Sequence, residues 1–459
     1  MEKKITRRNF LKLSGSALAA AAGSYGVANY LHDVLWPVQV KVTSLADLPP
    51  APFCGPPQST DALLVDIANA AEPLPDLFFA GTDGWIYIPP APGKAPYHPD
   101  MASPDPNFNT YIFGFTNLTG LDTGDIITQK NQSQLPAPMF WFPQDTEFRV
   151  RLTNLGLAQR PDLIDEHTLH FHGRRNVIPF FDGEPTTSVA VPIGRFFTYV
   201  FKTNMPGTYM YHCHVEEVEH VHLGMTGMIF VTPAQNGTNI NGFTKFAYNC
   251  GDGSTGYDRE FPMLLTEVWA EAHWDFSHVQ LPEWSDYNPD YYLLNGRSYP
   301  DTLAPNATSV DPKNMARNGT DLEPPAGRPD LKHQPYSSLV TCNAGERVLL
   351  RFANLGYARQ SMSLAGIKMR VVGKDATLLR GRDGKDLSYL TDTISIGPGE
   401  SFDVIFEAPP HSGSGSYDTY LLYNRNFNGV GNGSGQGGQM TEVRVYPGGS
   451  LGPQTQPLT

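Results

Sequence analysis

Short runs of β-branched and aromatic residues, separated by turns rich in Pro, Gly and Asn, fill the chain beyond residue 40. VFKTNMPGTYMYHC and ESFDVIFEAP are examples of these runs. Runs of this kind, bounded by turn residues, are typical of β-strands. No segment of this region shows the periodicity of an amphipathic helix of ordinary length. The pattern therefore predicts an all-β fold.

The strand pattern occurs twice, about two hundred positions apart. Residues 147–160 read EFRVRLTNLGLAQR, and residues 346–360 read ERVLLRFANLGYARQ. Each segment predicts a strand that ends in an Asn-Leu-Gly turn, and such repetition indicates a duplicated unit. We therefore expect two tandem β-sandwich or barrel domains, over residues 40–240 and 245–450.

Histidines distinguish the two copies. The first contains HTLHFHG at 167–173 and TYMYHCH at 208–214. At the matching places the second contains SMSLAG at 361–366 and TYLLYNR at 419–425. The second copy has therefore lost every histidine of these clusters.

The N-terminus predicts export. Residues 6–12 read TRRNFLK and precede an apolar run rich in Ala, which is the pattern of a twin-arginine signal peptide over residues 1–35. A membrane anchor is the alternative, if the segment is not removed. We therefore expect a periplasmic or extracellular protein.

Composition narrows the class further. Charged residues are 17% of the chain, and 44 Gly and 40 Pro suit a turn-rich β protein rather than a disordered chain or a coiled coil. The net charge of −13 disfavours nucleic acid as a partner, because phosphates attract basic surfaces.

Four cysteines occur, at Cys54, Cys213, Cys250 and Cys342. An oxidising compartment permits a Cys250–Cys342 disulfide or a bond to Cys54. Cys213 differs from the others because histidines flank it on both sides.

Alternation along strands places the candidate ligands. His170 and His172 point to one face of a probable strand, and His212 and His214 do the same on a later strand. Cys213 then points to the opposite face. The pattern predicts four imidazoles on one side and a thiolate on the other.

Two imidazoles, one thiolate and a weak thioether form the ligand set of blue copper. Cys213, His220 and Met225 supply three of these ligands, and His167 is the natural fourth. Taken singly, a buried Met or His is more often ordinary packing, and a cysteine can be half of a disulfide. Zinc is the chemical competitor, but structural zinc favours CxxC pairs, which the sequence lacks.

HTLHFHG, YHCHVEEVEHVHLGM, the Asp182–Gly183 pair and the later LLNGR together resemble the multicopper oxidase (laccase-like cupredoxin) family, from about residue 50 to the end. The resemblance implies two cupredoxin-like Greek-key domains, with copper ligands in the first only. It assigns the type 1 copper to four residues: His167, Cys213, His220 and Met225.

The resemblance also implies type 2 and type 3 copper in a trinuclear cluster. The first domain offers half of its ligands: His170, His172, His212 and His214. Asp182 resembles the acidic residue that relays protons to bound oxygen in this family, but it fits an ordinary turn before Gly183 equally well.

One departure concerns the acidic insertion VEEVE, which makes the interval from Cys213 to His220 two residues longer than in most laccases. His222 therefore competes with His220 for the type 1 site. We expect His220 to be the ligand, because only His220 keeps the HxxxGM spacing to Met225. His222 would then lie at the rim, where a donor docks.

The larger departure is the missing half of the cluster. The family uses eight histidines from two domains, and the second domain has only scattered ones: His273, His278, His333 and His411. Two-domain members assemble as trimers to complete the cluster, but a homotrimer of this chain would present SMSLAG and YNRN instead. The alternatives are a homotrimer with a different ligand set, or a partner chain that supplies the further histidines. Copper nitrite reductases need only one histidine from a neighbour, which a scattered histidine could supply, but they carry Asp where this chain has His170.

The resemblance therefore implies a copper oxidoreductase. It would oxidise a small-molecule or metal-ion donor at type 1 copper and pass electrons through Cys213 to a histidine-bound cluster that reduces O₂. The acidic VEEVE segment suggests a cationic donor. One alternative is a blue-copper electron-transfer or copper-binding protein with an incomplete trinuclear site. The other is a structural protein without copper.

Overall fold

The computed structural model describes five segments of the chain: residues 76–89, 105–174, 177–307, 322–431 and 437–457. The predicted signal peptide and Cys54 lie outside these residues. Strands dominate, so the predicted all-β fold is confirmed.

The first sandwich contains two four-stranded sheets, ordered β2-β1-β4-β6 and β3-β8-β7-β5. Within them β1 runs parallel to β4, and β3 runs parallel to β8. The strands are β1 (Leu77–Ile86), β2 (Thr110–Asn117), β3 (Phe140–Pro143), β4 (Glu147–Gly156), β5 (His170–His172), β6 (Phe196–Lys202), β7 (Gly207–His212) and β8 (Thr226–Thr232).

The second sandwich repeats this topology with extra strands at its edges. Its sheets are ordered β10-β9-β12-β18-β14-β15, with β16 also paired to β14, and β11-β20-β19-β13-β17. The parallel pairs recur as β9 with β12 and β11 with β20. The strands are β9 (Arg259–Val268), β10 (Tyr291–Leu294), β11 (Val340–Asn343), β12 (Arg347–Asn354), β13 (Gln360–Leu364), β14 (Met369–Lys374), β15 (Thr377–Leu378), β16 (Tyr389–Thr391), β17 (Thr393–Ile396), β18 (Ser401–Glu407), β19 (Asp418–Asn424) and β20 (Met440–Tyr446).

The two Asn-Leu-Gly turns have the same hydrogen bonds in both copies. Asn154 Oδ1 accepts from Gly156 N at 2.8 Å, and Asn354 Oδ1 accepts from Gly356 N at 3.0 Å. In each copy the amide nitrogen of the same Asn donates to two carbonyls of loops that cross the sheet end. Each buried Asn therefore fastens the end of its sandwich, where the neighbouring loops begin.

Helices in the described segments are short. The α-helices are α1 (Glu217–Leu223), α2 (Ala270–Ser277) and α3 (Phe427–Gly431), and the 3₁₀ turns are Ile126–Gln129, Pro179–Phe181, Trp284–Asp286, Asp301–Leu303 and Pro329–Leu331. Among the described residues no helix is both long and apolar enough to span a membrane.

Aromatic side chains fill the first core. Phe140, Phe148, Phe171 and Tyr211 are buried and contact one another with ring centroids 5.6–6.4 Å apart. Burial of one such ring contributes about 1.5–3 kcal/mol. The second core is mainly aliphatic. The rigid first core underlies β5 and β7, which carry the histidine pairs.

A buried ionic network joins the two sandwiches. Arg351 is fully buried, and its guanidinium contacts Glu260 at 2.7 Å and Asp403 at 3.3 Å. Asp403 also accepts from Thr208 Oγ1 of β7 at 2.5 Å. The network therefore anchors the start of β7, the strand whose last residue is His212.

Candidate metal centre

One cluster of soft and nitrogen ligands lies inside the first sandwich. Cys213 Sγ is 3.3 Å from His220 Nδ1 and 4.0 Å from His167 Nδ1, and all three side chains are fully buried. His167 is held by a two-way backbone bridge to Val191, just before β5. Cys213 N donates to Met225 O at 3.1 Å. The predicted type 1 ligands therefore come together from two parts of the chain, His167 before β5 and the segment 213–225 after β7.

Gly81 of β1 leaves the space in which this cluster fits. A Cβ atom at Gly81 would lie 2.6 Å from His167 Cδ2 and 3.3 Å from Met225 Cε. The Met225 methyl group and the His167 ring therefore both pack against Gly81 of β1. Sequence reasoning missed Gly81, because nothing in the sequence near it indicates a ligand.

The charges of the cluster favour a thiolate. Burial raises the pKa of the Cys213 thiol, but His220 and His167 lower that pKa further, so it lies well below its usual range. Burial lowers the pKa of His220, but Cys213 and Asp165 raise it to about 10. A buried thiolate beside two imidazoles and a thioether is the donor set that copper prefers. The residues present therefore fit a type 1 copper.

His222 is directed away from the cluster. Its Nε2 accepts from Trp269 N at 3.1 Å, and it is only 6% exposed. Burial and the neighbouring His273 hold the pKa of His222 well below its usual range. The structure thus places His220 beside Cys213, and the expectation that His222 lies at the rim is wrong. The ring of His222 packs among four others: His273, Trp284, Tyr287 and Tyr357.

The four predicted cluster histidines lie on one face, at the ends of β5 and β7. The His170 ring centroid is 4.9 Å from that of His214 and 5.2 Å from that of His212, and His172 is 6.0 Å from His212. β5 and β7 pair His170 directly with His212. The predicted alternation holds here, since Cys213 faces the core.

Contacts made by the Nδ1 atoms orient these imidazoles. His170 Nδ1 donates to Asp182 O at 2.7 Å, and His212 Nδ1 donates to Cys213 O at 2.8 Å. Because a carbonyl only accepts, both rings carry hydrogen on Nδ1 and leave Nε2 for a metal. His214 Nδ1 lies 3.3 Å from Glu217 Oε2 of α1.

Burial keeps His212 and His172 neutral. It lowers the pKa of His212 to about 3 and also lowers that of His172. Neutral imidazole is the form that binds a metal. In the described part of the chain, however, no three of the four histidines bring their ligand atoms within 4.8 Å of one another. They therefore fit half of a shared cluster and not a closed site of their own.

A cleft of about 270 Å³ separates this face from the second sandwich. His172 and His212 line one side, and Tyr357, Pro398 and Gly399 line the other. A Cβ atom at Gly399 would lie 2.7 Å from His172 Cε1. The second sandwich of the same chain thus closes on the cleft without a histidine.

Asp182 lies beside this face at the end of a 3₁₀ turn, with its side chain one-third exposed. Its Oδ2 is 3.7 Å from His170 Nδ1. The following Gly183 has φ of +77°, and a Cβ atom there would lie 2.2 Å from Leu169 O. The turn therefore presses against β5 and holds Asp182 close to His170.

Backbone hydrogen bonds identify the matching positions in the second sandwich. Asn424 N donates to Gln439 O at 2.9 Å, as Cys213 N donates to Met225 O. The residue pair at the next strand position is Ser363 with Tyr423, in place of His170 with His212, and Arg425 follows in place of His214.

His220, another predicted type 1 ligand, also has a counterpart in the second sandwich. Gln439 N donates to Gly429 O at 2.8 Å, as Met225 N donates to His220 O at 2.9 Å. A Cβ atom at Gly429 would lie 2.5 Å from Asn424 Nδ2. Gly429 thus lies against Asn424 as His220 lies against Cys213.

Three buried amides fill this second pocket. Asn424 Nδ2 donates to Gln360 Oε1 at 2.5 Å and to Gln439 Oε1 at 2.7 Å, and all three residues are fully buried. Hydrogen-bonded amides stand at the positions of the proposed metal ligands, and they satisfy one another's buried polar groups. We call Gln360, Asn424 and Gln439 the amide pocket.

The scattered histidines of the second half do not form a ligand group in the described residues. His273 Nδ1 donates to Tyr111 O at 2.6 Å, and His278 stacks on Trp274. The Cys250–Cys342 disulfide that the sequence permits does not form, because both cysteines are free thiols among the described residues. The Cys342 thiol is buried in β11, and the alternative bond to Cys54 involves a residue outside the described segments.

A repeated acidic residue was also missed. Asp83 Oδ2 accepts from Ala158 N and Gln159 N at 2.8 and 2.7 Å, directly after the first Asn-Leu-Gly turn. In the second copy, Glu267 accepts the equivalent hydrogen bonds from two backbone nitrogens directly after the Asn-Leu-Gly turn. The repeated motif Thr-Asp-Gly-Trp (82–85) and Thr-Glu-Val-Trp (266–269) was the available signal.

Comparisons with known proteins agree with this geometry. Two family models described as multicopper oxidase match residues 122–236 and 259–448. Copper resistance protein A of Pseudomonas syringae pv. tomato is 27% identical over 299 residues, which are 60% of this chain and 41% of that protein. Putative laccase-9 of Oryza sativa subsp. japonica is 29% identical over 267 residues, or 57% of this chain and 37% of that protein. The chain spans about two fifths of the length of these relatives.

Solved structures show the same fold. The blue copper oxidase from Nitrosomonas europaea superposes with a TM-score of 0.52 at 19% identity, over 80% of this chain and 85% of that chain. Multicopper oxidase mgLAC gives a TM-score of 0.52 at 21% identity, over 82% and 87%. The predicted cupredoxin-like fold is thus confirmed. With one family model on each sandwich, the chain belongs to the multicopper oxidase family, which binds copper.

Proposed function

We propose that this copper oxidoreductase oxidises a small-molecule or metal-ion donor in one-electron steps at a type 1 site and reduces O₂ at the histidine face. The observation that carries the proposal is the buried group of Cys213, His220 and His167, whose ligand atoms lie within 4.8 Å of one another. Copper bound in the two ligand sets would supply the one-electron chemistry and the reduction of oxygen.

The donor would approach through His220. This side chain is fully buried, but its Nε2 lies 3.5 Å from Asp165 Oδ2, and the Asp165 side chain is 13% exposed. Asp165, Glu216 and His220 form a second group of close ligand atoms, with Glu216 exposed. Carboxylates at this point would attract a cationic donor or accept a proton from a hydroxyl group.

The backbone connects the two ligand sets. Cys213 is bonded directly to His212 and His214, and the His212 ring returns to the Cys213 carbonyl through a 2.8 Å hydrogen bond. The chain thus joins the type 1 position to the histidine face by one residue on each side. Asp182, next to His170, is the proposed proton source on that face.

The second candidate function is blue-copper electron transfer without oxygen reduction. It is favoured by Ser363, Tyr423 and Arg425, which stand where a copper-binding second domain would carry histidines. A second copy of this chain would therefore not complete the cluster. Oxygen reduction requires histidines from a partner chain, whereas electron transfer at the type 1 site does not.

Copper loading separates the two candidates. The protein is isolated from its native cells together with any chain bound to it, since a partner would have to complete the cluster, and it is then titrated with copper. The visible band, the copper content and oxygen uptake with a phenolic and a metal-ion donor are measured. An intense blue band with about three or four copper ions per chain and oxygen uptake would support the oxidase. A blue band with about one copper ion per chain and no oxygen uptake would support the electron carrier. Absence of a blue band would refute both.

A Cys213→Ser variant is the matched control. Serine keeps nearly the same volume at a fully buried position but is not a soft ligand. The variant should therefore lose the blue band while copper on the histidine face is kept. A blue band in this variant would exclude Cys213 as the ligand.

Export remains a prediction, based on the twin-arginine pattern of the N-terminal residues. Replacement of Arg7 and Arg8 by Lys should retain the protein in the cytoplasm, as measured by cell fractionation with an unrelated exported protein as control. Unchanged export of that variant would contradict the twin-arginine assignment.

A further inference from the structure

Tyr357 of the second sandwich reaches the helix that carries the type 1 histidine. Its hydroxyl donates to Val218 O at 2.5 Å, and Glu217 O lies at 3.2 Å. Its ring lies 5.7 Å from that of His222 and 5.5 Å from that of Tyr287. A side chain 140 residues away from Glu217 in sequence thus binds the first turn of α1.

The position of Tyr357 is itself fixed by a carboxylate. Glu267 Oε1 accepts from Tyr357 N at 2.6 Å and from Ala358 N at 2.7 Å. Glu267 Oε2 accepts from Gln360 Nε2 at 2.8 Å. Gln360 belongs to the amide pocket, so a continuous set of hydrogen bonds runs from that pocket to Tyr357.

Helix α1 depends on such external support. It has seven residues, too few for a stable isolated helix, and it begins after Glu216 in the left-handed region (φ +43°) without a side-chain cap. Within this length it carries Glu217, which contacts His214, and His220, which contacts Cys213. Movement of α1 would displace both ligand sets at once.

We propose that Tyr357 is a positioning residue for the copper centre. The amide pocket, which occupies the place of a copper site in the second sandwich, holds Tyr357 through Glu267, and Tyr357 holds α1 with His220. The anchoring of α1 stands on these contacts alone. Its consequence for copper rests on the function proposed above.

The first test uses metal-free protein. Tyr357→Phe removes the hydroxyl and keeps the ring. Tyr389→Phe, at a residue of the same sandwich that is 49% exposed, is the control. One hydrogen bond of ordinary strength corresponds to about a fivefold change in an opening equilibrium. Amide hydrogen exchange in α1 should therefore become about fivefold faster in Tyr357→Phe and stay unchanged in Tyr389→Phe. Equal protection of α1 in both variants would overturn the anchor.

The second test follows the metal. In Tyr357→Phe, type 1 copper should bind about three- to tenfold more weakly, and the blue band and its electron paramagnetic resonance signal should shift. A merely structural role would lower the unfolding temperature and leave both signals unchanged in the folded protein, which would overturn the positioning role. If wild-type protein shows no blue band, the proposed function fails, whereas hydrogen exchange still decides whether Tyr357 anchors α1.

Discussion

Gly81→Ala tests the geometry of the type 1 site without changing any ligand. The added methyl group would lie 2.6 Å from His167 Cδ2, against a normal carbon–carbon contact of about 3.5–4.0 Å. Either the His167 ring or strand β1 must therefore move by about 1 Å. β1 is held on both sides, by β2 and β4, and His167 is fully buried, so the strain is concentrated on the ring.

The size of the effect follows from this displacement. Overpacking of a closed core costs about 1–3 kcal/mol. A copper ligand tolerates about 0.2 Å, so the displaced ring should also weaken copper binding. If the same free energy is lost from the bound state, the affinity falls by roughly five- to 150-fold. Met225, whose methyl group would lie 3.3 Å from the new Cβ, should shift as well.

Copper titration followed by visible and paramagnetic resonance spectra is the assay, with urea unfolding beside it. Gly256→Ala is the matched control, because its Cβ would lie 2.5 Å from Phe243 Cγ, far from the ligands in the sequence and the fold. The Gly256→Ala variant should lose stability and keep the blue band. Gly124→Ala, whose Cβ meets nothing within 4 Å, should change neither. Wild-type copper affinity and spectra in Gly81→Ala would refute the arrangement of His167 against β1.

Two further predictions concern charges in the second sandwich. Arg351→Met leaves Glu260 and Asp403 buried without their cation, and should lower the urea unfolding free energy by about 3–5 kcal/mol; a loss below about 1 kcal/mol would contradict the network. Burial raises the pKa of Glu346, but the hydrogen bonds from Arg259 and Asn343 together outweigh burial and hold that pKa below its usual range. The carboxylate therefore stabilises the fold above an unfolded pKa of about 4.3 and ceases to do so as pH falls through the folded pKa. Glu346→Gln should lose about 1–2 kcal/mol at pH 7 and flatten the acid limb of stability against pH; an unchanged limb would exclude this role.

The fold was readable from the sequence because its signals are local, and the proposed ligands carry local signals as well. The alternation through His212, Cys213 and His214 determines which side chain faces the core, and the structure has this arrangement. The Asn-Leu-Gly turns likewise follow from residues within one strand and its loop.

What the sequence did not reveal depends on distant contacts. Gly81 lies 86 residues before His167, and only the packing of β1 beside the ligand makes its missing side chain significant. VEEVEHVHL is too short for helical periodicity, so α1 was not foreseen. The burial of His222 follows from Trp269 and Tyr357 of the second sandwich, which no local pattern connects to it.

The type 1 site and the histidine face are therefore separable parts of one domain. Every proposed type 1 ligand comes from residues 167–225, and Gly81 leaves room for them, so one chain supplies the whole proposed site. The histidine face, by contrast, leaves Nε2 atoms that no described residue completes. In the second sandwich Ser363, Tyr423 and Arg425 stand at the positions that match this face, and the amide pocket stands at the positions that match the proposed type 1 ligands. Because those amides are buried and paired, the second sandwich keeps its shape and can support α1 through Tyr357. The second sandwich, which carries paired amides where the first carries the proposed copper ligands, thus contacts the helix that holds His220.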